Sequence, residues 1–363
     1  MAVTTFNDVV AGLVKASTWG TEGDVTSGGI NVYASSIKIT ANWQDFESRD
    51  FGQGGFKLNT ARLALNASVD FTFDITYGQA WLAFVAGFMG TESSPAEQTA
   101  SQTDYLVNHD LAASTDGLFW TFGYSIETDR TLSMYGLKVQ RISIDQNLNG
   151  AGQVSVRCLA DRVVEGSANT VAEITALTDY AYETSILGSI GGTNHYFRIK
   201  DYSTGVSLSS THNKAILGYT ITLERPMEPR FGLNGAASGY SLEPRTRGLI
   251  KGTLQARFNE LDNATWDIFG DWASPSFKMA ELFIDGQPIG SGLNSSLKYQ
   301  FPYLKVTGEL PPGHDVASNN GEFLPIINYN MHKAAAAPSG MSGVTNYMRL
   351  AEIHRTRSTK WTA

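Results

Sequence analysis

Apolar and polar residues alternate strictly along two stretches of this chain, and the alternation predicts half-buried strands. In "SVDFTFDITY", Val69, Phe71, Phe73 and Ile75 fall on one side and Asp70, Thr72, Asp74 and Thr76 on the other. In "AILGYTITLE", Tyr219, Ile221 and Leu223 alternate with Thr220, Thr222 and Glu224. Further strands are predicted at "SIKITANW" and near 119–127, 137–146 and 153–164, then near 249–258, 277–285 and 297–308. "NLNGAGQ" reads as the turn of a hairpin. The period changes at "AWLAFVAGFM", residues 80–89, which predicts a short helix ended by glycine, and at "ELDNATWDIFGDW", residues 260–272, with Asp262 or Asn263 as its cap. The first of these is the longest apolar run and is too short to span a bilayer.

The elements recur. Three landmarks occur twice in the same order, which predicts a duplicated domain rather than a solenoid of short repeats. Glu47, Arg49 and Phe51-Gly52 match Glu228, Arg230 and Phe231-Gly232, each set following an Ile-Thr strand, Ile39-Thr40 or Ile221-Thr222. Phe73, Trp81 and Phe84 match Phe258, Trp266 and Phe269. "LKVQ" at 137–140 is matched with "LKYQ" at 297–300. The expected division is a first β domain over 1–165 with a Ser/Thr/Gln-rich insert at 91–118, and a linker over 166–195 carrying one short helix in "NTVAEITALTDYAYE". A second β domain over 196–312 and an extended C-terminal arm over 313–363 follow.

In each half a long loop, 45–62 or 225–248, separates two strands expected to be sheet neighbours, where a plain connection needs only a few residues. Such loops are expected to reach something outside the domain. Pro226 and Pro229 stiffen the second and lower the entropy lost on docking it.

Composition agrees with a β protein. Among 363 residues there are 18 Phe, 15 Tyr, 7 Trp and 36 Gly, which favours strands joined by tight turns. A net charge of −8 argues against the basic footprint of a duplex-DNA binder. The single Cys158 excludes an internal disulfide framework and reads as a small buried apolar residue. The N-terminal stretch lacks the basic and apolar regions of a signal peptide. The six His lack metal-ligand spacing, and neither a GxSxG elbow nor a Walker A loop is present. Catalytic, cofactor and metal sites are therefore expected to be absent. Two small basic clusters remain, Arg245 with Arg247 and His354, Arg355, Arg357 and Lys360 near the end; either could meet phosphate, weakly and in a salt-sensitive way, or pair with an acidic neighbouring subunit.

The run "ILGYTITLERPMEPRFGLNG…RTRGLIKGTLQARFNELDNATWDIF" resembles the C-terminal half of two-domain tail tube proteins of long-tailed, non-contractile bacteriophages. "VKASTWGTEG" resembles that family's opening, and "YGLKVQRISIDQNLNGAGQVSVRCLADRV" the hairpin closing its first domain. The resemblance implies a mainly β fold: two tandem tail-tube-type β-sandwich or barrel domains, each with one flanking helix. It also implies sheets joined edge to edge between copies. A ring of three subunits with pseudo-six-fold symmetry would stack into a conduit for phage DNA. The implied partners are other copies of the chain, the tape-measure, initiator and terminator proteins, and double-stranded DNA in transit. The implied location is the virion tail, assembled in the host cytoplasm.

On this reading the lumen-lining candidates are Asp70, Thr72, Asp74, Thr220, Thr222 and Glu224, with Lys38, Lys251 and Arg257 on neighbouring polar faces. Carboxylates there would keep phosphates from adhering. The contact candidates are Glu47, Arg49, Phe51, Arg225, Glu228, Arg230, Phe231, Arg245, Arg247, Arg355 and Arg357. Rival expectations are another tube-fold component (a tail terminator, baseplate ring or secretion-system tube) and, from the abundance of aromatics, a carbohydrate-binding or adhesin module.

Overall fold

The computed structural model describes residues 10–361 apart from 48–59, 79, 100–103, 126–129, 148–149, 166–168, 178–194, 229, 231–241, 259–275, 291, 308–325 and 356–359. The chain is mainly β. It begins with β1 (Ala11–Lys15), β2 (Ile30–Asn31), β3 (Ser36–Glu47), β4 (Thr60–Asp74) and helix α1 (Ala80–Met89). Next come β5 (Gly90–Glu92), β6 (Ala96–Glu97), β7 (Asp104–Leu111), β8 (Trp120–Ser125), β9 (Thr131–Asn147), β10 (Gln153–Ala160) and β11 (Arg162–Glu165). The short α2 (Val171–Thr175) precedes β12 (Tyr196–Asp201), β13 (Asn213–Lys214), β14 (Ile216–Glu224) and β15 (Lys251–Phe258). The last strands are β16 (Lys278–Gly290), β17 (Leu293–Thr307), β18 (Ile326–Met331) and β19 (Arg349–Arg355).

The alternating stretches form strands because each buries one side. Val69, Phe71 and Phe73 of β4, and Tyr219, Ile221 and Leu223 of β14, are buried, while the polar residues between them are half-buried. Helix α1 is apolar all round because it is covered all round: every one of its residues is buried. Phe84 on the helix lies with its ring 4.9 Å from Phe71 of β4, and Phe71 lies 5.0 Å from Phe122 of β8. These aromatics connect the β4 sheet, the helix and the β8 sheet; full burial of each contributes about 1.5–3 kcal/mol. Trp81 acts as a core residue whose indole N–H donates to the Thr76 carbonyl at 2.9 Å. Gly90, at φ +85°, ends the helix in the left-handed conformation that glycine adopts without strain. Cys158 is buried. The predicted second helix, 260–272, with Trp266 and Phe269, lies outside the described residues.

The strand pairings of the two halves repeat one another. In the first half β2 pairs with β1, β1 with β8, β8 with β9, β9 with β10, β10 with β4 and β4 with β3, all antiparallel. In the second, β13 pairs with β12, β12 with β16, β16 with β17, β17 with β18, β18 with β15 and β15 with β14. Register agrees as well as order. Thr40 stands opposite Ser68, and Thr222 opposite Thr253. The irregularity between Trp120 and Phe122 on β8 recurs between Lys278 and Ala280 on β16.

This register corrects the third landmark. Trp120 faces Leu137 and Lys278 faces Leu304, so Leu137-Lys138-Val139 corresponds to Leu304-Lys305-Val306 and not to "LKYQ" at 297–300. Both Leu-Lys pairs lie on the same long strand, and only pairing decides between them.

Three expected segments differ. The C-terminal stretch is not a free arm where it is described: β18 fills the place between β15 and β17, and β19 lies between β17 and β7. Alternation in Ile327, Tyr329 and Met331, all buried, supplies the apolar side that drives β18 into the sheet. The insert contributes β5, β6 and β7, and β7 extends the second-half sheet through β19. The first long loop is shorter than expected, because β3 runs on to Glu47 and β4 starts at Thr60. In the stretch expected as linker, α2 is capped by a Thr170–Glu173 capping box. Asn169, just before it, accepts from the Val25 amide at 2.8 Å.

Candidate assembly site

The two halves are joined by backbone pairing. β14, the first long strand of the second half, pairs with β9 from Gly218 opposite Asn147 to Glu224 opposite Arg141. The first-half sheet and the second-half sheet thereby become one surface, in the order β3, β4, β10, β9, β14, β15, β18 and the end of β17.

Its polar side carries both predicted lumen triads in common rows. Ser36, Thr72, Ser155, Ser143, Thr222, Thr253 and Asn330 stand opposite one another in succession. Within this hydroxyl row Ser143 and Thr222 are 3.2 Å apart across the joint between the halves. The next row is charged and runs Lys38, Asp70, Arg157, Arg141, Glu224, Lys251. The row on the other side runs Asp74, Gln153, Asp145, Thr220, Gln255, Asn328. There Asp145 accepts from Thr220 at 2.5 Å and from Arg257 at 2.7 Å, tying three adjacent strands together.

The face is therefore mixed in sign rather than a carpet of carboxylates. Arg141 and Arg157, which the sequence analysis left unassigned, are exposed and stand directly opposite each other. Their strands alternate too, and the same period of two along β9 and β10 marks both side chains as polar-face residues. Replacing both by glutamine is expected to change stability by less than about 0.5 kcal/mol, as for other solvent-facing side chains. Urea denaturation would check this.

The edges of this surface differ. β14 has β9 on one side and β15 on the other, and its Tyr219 and Ile221 are fully buried. Its counterpart β3 has only β4 beside it among the described residues, and Ile37 and Ile39, the matching positions, are half-buried. A strand with one unpaired side is a template for another strand.

The contact candidates separate into several groups. Arg225 does not face a neighbour: it is fully buried, and its guanidinium donates to the carbonyls of Phe88, Ala112 and Ala113 at 2.8, 2.9 and 3.1 Å. It thus ties the C-terminal end of α1 to the residues that follow β7 in the insert. Burial pushes this guanidinium down to about 10, against the opposing pull of Asp116. Glu228 pairs with Arg247 at 2.8 Å, both well exposed. Arg230 instead donates to the Glu243 carbonyl at 3.2 Å, and Arg245 lies 3.8 Å from Asp116. The described part of the second long loop thus folds back on the insert, with Leu249, 82% exposed, at its far end. Glu47 ends β3, and Arg355 ends β19 opposite Asp104. Arg49, Phe51, Phe231 and Arg357 lie outside the described residues.

Among the described residues no group of His, Cys, Asp and Glu could hold a metal ion, and no helix is long and apolar enough to cross a membrane. Comparison of the sequence with protein-family models and with curated proteins gives no match.

Proposed function

We propose that this chain is the major tail tube protein of a long-tailed, non-contractile phage. In that role copies of the chain assemble into rings, and the rings stack into the hollow conduit through which DNA leaves the virion. The observation that carries the proposal is the inequality of two equivalent strands. One joint of the repeat, β14 on β9, is already made within the chain, while β3, the strand corresponding to β14, has among the described residues an unpaired edge and two half-buried isoleucines. A second copy offering its second half to β3 would repeat the joint head to tail. A heterologous contact of that kind propagates until it closes, and three two-unit chains closing would give six similar units.

The polar side of the joined sheet would line the lumen. Its row of hydroxyls and its interleaved charges leave no continuous cationic track to hold phosphates. The partners on this reading are further copies, a tape-measure protein inside the growing tube, and initiator and terminator proteins at its ends. Assembly would take place in the host cytoplasm. Negative-stain microscopy of the concentrated purified protein is the test: hollow tubes or rings are expected, and a protein that stays monomeric at high concentration, alone and with its initiator, would overturn the proposal.

A further inference from the structure

Lys138 is 1% exposed in the side chain, on β9 beneath the second long loop. Its ammonium contacts the Glu243 carboxylate and lies 3.9 Å from Asp116 Oδ1. The same Glu243 oxygen also accepts from the Gly117 backbone amide at 2.8 Å. Glu243 is held where it is: Arg230 donates to its carbonyl, Leu242 beside it donates its N–H to the Arg230 carbonyl at 3.2 Å, and Arg245 reaches Asp116. A buried amine, a fixed carboxyl, an amide N–H on the carboxyl oxygen and a second acid in reach are the parts required to make an amide.

We infer that Lys138 and Glu243 condense spontaneously into an isopeptide bond that ties the second-half loop to the first-half sheet. Proton transfer from the ammonium to the carboxylate gives the neutral amine and the neutral acid. The amine lone pair attacks the Glu243 carboxyl carbon. The Gly117 N–H stabilises the oxyanion that forms. Asp116 takes a proton from the attacking nitrogen and gives one to the departing hydroxyl. The carbon–oxygen bond breaks, and an ammonium plus a carboxylate have become one amide and one water, with no oxidant or cofactor consumed.

Two physical terms favour the step. Burial holds the Lys138 ammonium below the ordinary lysine range, with Arg225 adding to the effect while Glu243 and Asp116 oppose it, so the nucleophilic form is more accessible than on a surface. Fixing both partners in contact replaces a bimolecular condensation by an intramolecular one, worth effective molarities of about 10⁵ M or more when aligned. The repeat supplies a natural control. Lys305, the counterpart of Lys138, is half-buried beside the Phe277 ring and has no carboxylate ion pair among the described residues. It should stay free.

Peptide mapping of the intact, folded protein tests the inference. After digestion, a branched peptide lighter than its two parts by one water should join Lys138 to Glu243, and trypsin should fail to cut after Lys138 while cutting after Lys305. Glu243→Ala should restore cleavage at Lys138, and Asp116→Asn should slow formation of the branch at least tenfold. A wild-type protein that is folded by circular dichroism and still carries a free Lys138 after prolonged incubation overturns the inference. A branch to any residue other than Glu243 overturns it equally. Neither result bears on tube formation, which is scored separately by microscopy.

Discussion

Replacing Arg225 with alanine is expected to cost the fold about 3 kcal/mol or more. The loss has a definite source. Three carbonyls, from Phe88, Ala112 and Ala113, accept from this one guanidinium, and Thr246 Oγ1 lies 3.3 Å from it. Arg225 itself is fully buried, so alanine would leave its space empty and strand the buried Phe88 carbonyl, while the acceptors on Ala112 and Thr246 are half-buried and Ala113 is exposed. Hydrogen bonds from a charged donor contribute about 1.5–3 kcal/mol each, and a buried acceptor left without a donor costs about 1–3 kcal/mol. Desolvating the guanidinium works against these gains, which is why the expected cost is set well below the sum of the separate contributions. Lysine should rescue little, since a single ammonium cannot present the planar fork that reaches α1 and the insert together. Chemical denaturation followed by tryptophan fluorescence would measure the loss. A cost below about 1 kcal/mol for the alanine variant would show that water satisfies these carbonyls and that the clamp is incidental.

The second large effect is a contrast between two matched isoleucines. Ile221→Lys, in β14, is expected to unfold the chain or to cost about 4 kcal/mol or more, because an ammonium would be forced into a position only 1% exposed. Ile39→Lys, at the equivalent place on β3, should cost only about 1 kcal/mol, since the side chain there is half-buried and a lysine can carry its charge to water. The same edge lysine should abolish assembly, as charged edges do elsewhere. Urea denaturation and negative-stain microscopy on the two variants read out both parts. Tubes of normal length from folded Ile39→Lys protein would remove β3 as the docking edge.

How far the sequence could be read depended on whether neighbouring residues alone carried the signal. Alternation in Val69–Asp74 and Tyr219–Glu224 identified both strands and both faces, because burial of one side is a local property of period two. The helix at 80–89 was legible from its apolar run and its terminal glycine. The β3–β4 and β14–β15 partnerships were legible from their matched landmarks. Pairing over long separations was not. Nothing near Ile326–Met331 or Arg349–Arg355 says that these strands return to β15 and β17, and a stretch following "ELPPG" and containing "AAAAPSG" reads as extended chain.

Arg225 shows the same limit at a single residue. Between a strand and a proline it has the look of a surface charge, and only the arrival of the Phe88 carbonyl of α1 and of those of Ala112 and Ala113 converts it into a buried clamp. The Lys138 pocket was equally hidden, since its carboxylate lies more than a hundred residues away in a loop. The mixed sign of the polar face was partly visible in Lys38, Lys251 and Arg257, but its central arginines join the same face only through the pairing of β9 with β10.

β18 has a consequence for synthesis on the ribosome. It occupies the slot between β15 and β17, so a nascent chain that has already exposed all of β14 to β17 still carries a gap in its second sheet. Vectorial translation thus makes the later half the last to mature, and on the proposed assembly a surface ready to receive another copy would form only once that late segment has slotted in. Half-made polypeptides would be kept from joining a growing polymer by the order in which their strands emerge.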